Sequence, residues 1–377
     1  MGRDKNQGSS RGKNVASSSR AADTLQATGA SSSAFVVGFG GFSGSHAIEP
    51  TAFGSATPAS SMNASAGLEG NAEASLAGLD GEAALHLKRL SKRDPVTKIK
   101  ALQALQKLIQ ERQPVEVETL ILPWAQVFSR VAMDNSRQVR EAGMAVMGAL
   151  AKTVKKALAP HLKALMGPWY AAQFDPCSEV AAAAGLSFEA AFPPAKQRDA
   201  LKFCQAEIVA RVEEVLTVQP QFLSDKSATP EEASERHERV VSSALLSLIE
   251  LLKLQDAGST TGGSTQEAIW GLTRAMVQAK NFWKGRLAAK TSLVRRAGYM
   301  LMQVICKQAP ELIQEEVPEL APLVLGAFSD KEPEGHAALW DMVLMFTRAF
   351  PASWGSANLH KVSARSRRHG APPTSTR

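Results

Sequence analysis

From Asn71 to Phe350 apolar residues recur at intervals of three and four, with almost no stretch that alternates apolar and polar positions. That is the period of helices burying one face, not of strands. The helical pattern is interrupted at Asp94-Pro95, Gln113-Pro114, Asp134-Asn135, Ala159-Pro160, Asp175-Pro176 and Pro193-Pro194. Each pair contains a residue that starts a helix or stops one. A succession of helices of about fifteen residues is therefore predicted, and the fold class is all-α.

The interruptions are themselves periodic. Asp94, Asp134 and Asp175 stand 40 and 41 residues apart. Five positions after each comes an aliphatic residue, Ile99, Val139 or Val180. Ala101-Leu102, Ala142 and Ala182-Ala183 follow, then Leu105, Ala145-Val146 and Leu186. Helical spacing puts these positions on one face. Each aspartate can accept hydrogen bonds from the free N–H groups of the next helix's first turn, and a proline next to it loses nothing there. The same pattern returns in weaker form over Ala288–Ile305, where Val294-Arg295 matches Val139-Arg140, and over Ser329–Phe346. Two helices in about 40 residues is the signature of HEAT-type repeats. Such units bury their faces only by stacking, so a HEAT/armadillo-like solenoid is expected over residues 71–360, with its function on surfaces.

The flanks differ in composition. Residues 1–70 are rich in Gly, Ser and Ala and poor in large apolar groups, so they form a tail expected to be disordered. AFVVGFGGF, Ala34 to Phe42, interrupts that tail with Phe35, Phe39 and Phe42 among glycines, as a short docking motif would. KLQDAGSTTGGSTQEA, Lys253 to Ala268, reads as a flexible loop, and residues 361–377 as a basic, non-periodic tail.

Charge narrows the classes of function. The chain has a formal charge of +7, but residues 1–20 carry +4 and residues 361–377 carry +5, which leaves the middle near −2. Binding to nucleic acid must then rest on local clusters. Cys177, Cys204 and Cys306 are widely spaced, which fits neither a disulfide framework nor a zinc ribbon. A reducing compartment is expected. No apolar run is long enough to span a bilayer. The Ser-rich, Arg-bearing start has the composition of a transit peptide, but a disordered tail explains it as well, and Asn6 breaks the myristoylation pattern. There is no nucleophile elbow, no Gly-rich phosphate loop after a strand and no paired histidines, so no enzymatic site, small-molecule substrate or cofactor is read from these residues.

Two basic clusters remain as contact candidates. Lys88, Arg89, Lys92 and Arg93 precede Asp94, with Lys98 and Lys100 beyond it. Lys98 and Lys100 are expected to be exposed, because the apolar stripe occupies the other face. Lys152, Lys155, Lys156 and Lys163 surround the break at Pro160, ahead of Trp169 and Tyr170, and Trp169 is expected in the core. Either cluster could neutralise several phosphates. Either could equally be the solvated edge of a repeat.

LSKRDPVTKIKALQAL, VREA after Asp134, VKKALAPHLKALMGPWYAAQFD and FEAAFPPAKQ resemble the N-terminal region of listerin, a family of large RING-type E3 ubiquitin ligases. The likeness extends from FVVGFG to about Val362. It implies an arched HEAT solenoid whose N-terminal domain docks on the large ribosomal subunit in ribosome-associated quality control. In that setting the contacts are with quality-control factors and ribosomal RNA. A distant RING ubiquitinates the stalled nascent chain. Carried over by position, Phe35 to Phe39 match the family's Phe-Gly motif and Lys155-Lys156 its Val-Lys-Lys segment.

A RING needs about eight paired Cys and His ligands around two zinc ions, more than three separated cysteines supply. The chain thus reads as an N-terminal piece, monomeric and cytosolic, without zinc and without transfer activity of its own. SARSRRHGAPPTSTR departs from the family pattern, as a frameshift, retained intron or truncated gene would make it. A second reading from another class is a HEAT adaptor or transport-type scaffold that binds protein only. A third is a non-functional truncation product.

Overall fold

The computed structural model describes residues 79–218, 228–255 and 264–355, and among these every regular element is helical. Helix α1 spans Gly81–Arg89, α2 Pro95–Glu111, α3 Pro114–Glu118, α4 Ile121–Ala132 and α5 Arg137–Val154. A 3-10 segment, Lys155–His161, leads to α6, Leu162–Ala172, and α7, Ser178–Ala191. Then come α8 Pro194–Phe203, α9 Gln205–Thr217, α10 Pro230–Lys253 and α11 Ser264–Val277. The last helices are α12 Phe282–Leu287, α13 Ser292–Gln308, α14 Val317–Gly326 and α15 Pro333–Ala349. Because α11 begins at Ser264, the last five residues of the Lys253–Ala268 stretch are helical.

The predicted breaks delimit these helices. Asp94 caps α2 with both oxygens, accepting from the Val96 and Thr97 amides at 3.3 and 2.8 Å, and Pro95 occupies the first helical position. At the Pro160 break the chain tightens into seven residues of 3-10 helix. Helix α10 starts with a reciprocal capping box, in which Thr229 and Glu232 bond each other's backbone amides. That arrangement satisfies two of the orphan donors of a helix start.

The helices stack as HEAT/armadillo-like repeats. The long helices α2, α5 and α7 pack side by side, and α10, α13 and α15 do the same. In the second layer α4 packs on α6 and α6 on α9. The strong side-by-side stack is not carried from α7 to α10, which instead rests on α9 and α6. One continuous apolar core joins these layers, from Leu87 and Leu102 through Met147 and Trp169 to Leu248, Met302 and Phe346.

Val139, Val180, Ala101, Leu102, Leu105 and Val146 are buried as the pattern predicts. Leu186 is not; it is 69% exposed, and Ala182 of the same predicted face is exposed as well. The buried face of α7 is Val180, Ala184, Ser187 and Phe188, and at 100° per residue that spacing turns position 186 outward. Small residues set the closest approaches. At Gly143 of α5, an added methyl would overlap Val131 Cγ1 of α4. Gly143→Ala is expected to destabilise the chain by about 1–3 kcal/mol, the range for overpacked cores. Urea denaturation would measure it, and an unchanged midpoint would contradict the close packing of α4 on α5.

Candidate contact surface

The periodic aspartates do more than start helices. Only Asp94 is itself an N-cap; Asp134, Asp175 and Asp330 lie two residues before the caps of α5, α7 and α15. Each accepts from the amide two residues on, at 2.9, 2.9 and 3.1 Å. This leaves carboxylate oxygen for a cation on the preceding long helix. Lys98 reaches Asp134 at 2.7 Å. Arg140 forks onto Asp175 at 2.8 and 3.0 Å, and Arg295 forks onto Asp330 at 2.7 Å through both nitrogens. The remaining nitrogen of each arginine donates to two turn carbonyls, Asp134 and Asn135 for Arg140, Ala289 and Lys290 for Arg295. Such planar two-point pairs fix geometry as well as charge.

Lys98 therefore corrects the sequence reading, which expected it to be exposed. It lies just off the apolar face, and its ammonium folds back onto Asp134 with both side chains 12% exposed. Arg239 of α10 was not legible as a partner. It donates to the Met133 and Asp134 carbonyls at 2.9 and 3.0 Å and lies 3.7 Å from Asp175. Burial, with Arg140 beside it, pushes its pKa down to about 10. The only prior signal was the Val-Arg pair shared by α5 and α13; nothing in the sequence links Arg239 to turns about a hundred residues earlier.

These bonds define one edge of the helical body. Lys98 near the start of α2 meets the turn before α5, and Arg140 near the start of α5 meets the turn before α7, so the N-terminal ends of these helices lie together. Lys88 and Arg89 end α1, and Lys92 and Arg93 form the turn leading to α2, so all four belong to this aspartate edge. Lys152, Lys155 and Lys156 lie at the other end of α5, whose 18 residues span roughly 27 Å. The structure thus places the two basic clusters on opposite edges. It does not combine them into one patch.

Within each cluster the side chains are exposed, and among the described residues none of these seven is paired with a carboxylate. Lys163 differs, since it is exposed but lies 3.4 Å from Glu207. Lys100 is exposed and acts on Asp94, whose carboxyl is held below the ordinary range mainly by hydrogen bonds from Thr97. Lys155 has φ 49° and ψ −114°, a left-handed backbone rare outside glycine. It turns the chain sharply and puts two lysines on the edge. Phe35, Phe39 and Phe42 lie outside the described residues.

Little in the interior suits catalysis. Burial pushes the thiols of Cys204 and Cys306 up to about 11 and about 12, which keeps them protonated and weakly nucleophilic. His336 lies 3.1 Å from the Asp330 carbonyl. Among the described residues no three His, Cys, Asp or Glu side chains converge as metal ligands would. A cavity of about 30 Å³ between α4, α6, α9 and α10 is lined by Met133, Asp175, Arg211 and Arg239, room for a water molecule. Trp169 is fully buried as expected, donating to Ser187 Oγ at 2.7 Å. No helix among the described residues is long and apolar enough to cross a membrane.

The Arg295 rung gives a pH prediction. Asp330 is drawn down to about 2, first by Arg295 and further by the Glu332 amide and Tyr299. A carboxyl depressed below its unfolded value near 3.8 stabilises the fold above that pH and loses the contribution as pH falls toward 2. Acid titration followed by circular dichroism should show Asp330→Asn flattening the stability loss between about pH 4 and 2. A slope equal to that of the unmodified chain would contradict this.

Residues 79–367 match the model of the N-terminal domain of E3 ubiquitin-protein ligase listerin. The chain is 34% identical over 286 residues to the mouse protein called E3 ubiquitin-protein ligase listerin, covering 75% of this chain and 16% of the mouse protein. It is 35% identical to the chicken protein over the same length, with the same coverage. The Drosophila protein is 30% identical over 284 residues, covering 73% of this chain and 16% of that protein. The chain spans about a sixth of the length of these relatives. Among solved structures it is similar to an archaeal HEAT-like repeat protein from Thermococcus onnurineus, with 12% identity and a TM-score of 0.32. That alignment covers 74% of this chain and 92% of the archaeal one.

Proposed function

Since the chain belongs to the listerin family, we propose that this helical body is a docking module that holds a ubiquitin ligase on the large ribosomal subunit during quality control of stalled translation. The reading places its work in the cytosol and gives the module binding, not ubiquitin transfer. The observation that carries it is the edge at the end of α5. There Lys152, Lys155 and Lys156 are exposed, have no carboxylate partner among the described residues and are presented by an unusual backbone turn. Lysines arranged this way gain free energy by displacing counterions from phosphates. Lys98, Arg140 and Arg295, by contrast, are committed to aspartates and are not available. Lys88, Arg89, Lys92 and Arg93 form a second, separate grip on the opposite edge, and Lys163 contributes less because Glu207 stands beside it.

Lys155→Glu with Lys156→Glu should weaken co-sedimentation with large ribosomal subunits by at least tenfold at low salt and flatten its salt dependence. Circular dichroism should show the fold unchanged, because both side chains are exposed. Unchanged binding would remove these lysines from the contact. Binding that survives both ribonuclease treatment and high salt would instead favour a scaffold that touches protein only.

A further inference from the structure

Five arginines of the body that are not exposed are matched by acids, among them Arg112 with Asp80 at 2.6 Å. Arg140 and Arg239 share Asp175, Arg295 has Asp330, and Arg211 has Glu214 at 2.6 Å. Arg286 of α12 is also partly buried but is not matched in this way. Among the described residues its buried Nε–H has no acceptor and no carboxylate pairs with its guanidinium. The stem is held in place. Phe282 presents its ring 5.4 Å from the guanidinium carbon, and α13 backs against the residue at Gly298, where an added Cβ would come within 3.0 Å of Arg286 Cβ. One turn earlier on the same side of α12, Trp283 also buries an indole N–H without an acceptor. His237 of α10 is close enough that Arg286 adds to the lowering of its pKa that burial begins. The guanidinium itself is pushed downward by burial alone.

Removing water from a charge and two N–H groups without supplying acceptors is unfavourable, and such vacancies in folded proteins commonly mark a missing ion or ligand. We propose that Arg286, with Trp283 and His237 beside it, forms a binding site for a single oxyanion, a phosphate or a carboxylate. The planar fork of Arg286 can meet two oxygens of either group, and the side chain is only partly buried. The site shares no residue with either lysine cluster and does not depend on the ribosomal reading.

The test is thermal unfolding and calorimetric titration of the whole chain in Tris chloride at constant ionic strength, with inorganic phosphate in one arm and acetate in the other. One of the two anions should raise Tm by about 2–3 °C at ten times its Kd. Arg286→Met should abolish that shift and weaken the anion's Kd at least tenfold. Without either anion, Arg286→Met should keep the wild-type Tm, because it fills the stem's space and removes an unpaired charge. Arg286→Lys, which keeps the charge but lacks the fork, should bind more weakly than the wild type. A phosphate-only or acetate-only response identifies the source of the oxyanion. Equal shifts in wild type and Arg286→Met, no shift with either anion, or an Arg286→Met chain that melts as early as Arg140→Met would each overturn the proposal.

Discussion

Asp175→Asn is expected to lower the unfolding free energy by about 3–5 kcal/mol, the range for breaking a buried ion pair from one side. Asp175 and Arg140 are both 4% exposed, and Arg239 approaches the same carboxylate. The substitution removes one negative charge and leaves two guanidinium groups facing each other in a desolvated turn. Asparagine can still accept from the Cys177 amide, so the loss is charge and not the local turn. Urea denaturation of the single variant should show it. Breaking the exposed Lys107–Glu111 pair, at 3.7 Å, should cost well under 1 kcal/mol in the same assay. A loss below about 1 kcal/mol for Asp175→Asn would mean that the rung is ornamental.

Trp169→Ala should be comparably damaging, at about 3–5 kcal/mol, for a different reason. The indole is fully buried and packs against Phe188 edge-on at 5.3 Å and against Phe192 at 5.9 Å. Truncation opens a cavity where α6 meets α7. Trp169→Phe separates packing from polarity. Phenylalanine keeps much of the ring contact but leaves Ser187 Oγ without its donor, although that hydroxyl still donates to the Ala184 carbonyl at 2.8 Å. Its loss should be about 1–2 kcal/mol. Equal midpoints for the alanine variant and the unmodified chain would place Trp169 outside the core.

The helical repeats were legible because their signals are local. A cap, an apolar residue five positions on and a 40-residue return can be read without knowing where anything folds, and helices α2, α5, α7, α13 and α15 begin where those signals lie. Two kinds of detail were not legible. Leu186 was misplaced because α7 starts three residues after Asp175 while α2 starts directly after Asp94, which shifts the register of the buried face. Lys98 was misjudged because a long side chain can reach sideways to a carboxylate 36 residues away, and period alone does not show reach. The candidate contact residues fared unevenly. The pattern predicted exposure for Lys98 and Lys100 and held for Lys100 alone, and the separation of the two clusters onto opposite edges required the side-by-side stacking of α2 and α5. Arg239 and Arg286 left no mark in the sequence, since their surroundings come from distant segments.

The aspartate rungs also give the stack a mechanical direction. Lys98, Arg140 and Arg295 tether successive units by ion pairs at the N-terminal ends of the long helices. Toward the far ends the contacts are mainly apolar, with the Gln303 amide donating to the Ala338 carbonyl at 2.7 Å, and they lack the directional ion pairs of the aspartate edge. Flexing between neighbouring units should therefore hinge along the aspartate edge and fan open at the other. That is the edge where Lys152, Lys155 and Lys156 sit, all within one unit, so flexing should move this group as a whole relative to its neighbours while the hinge side keeps its register.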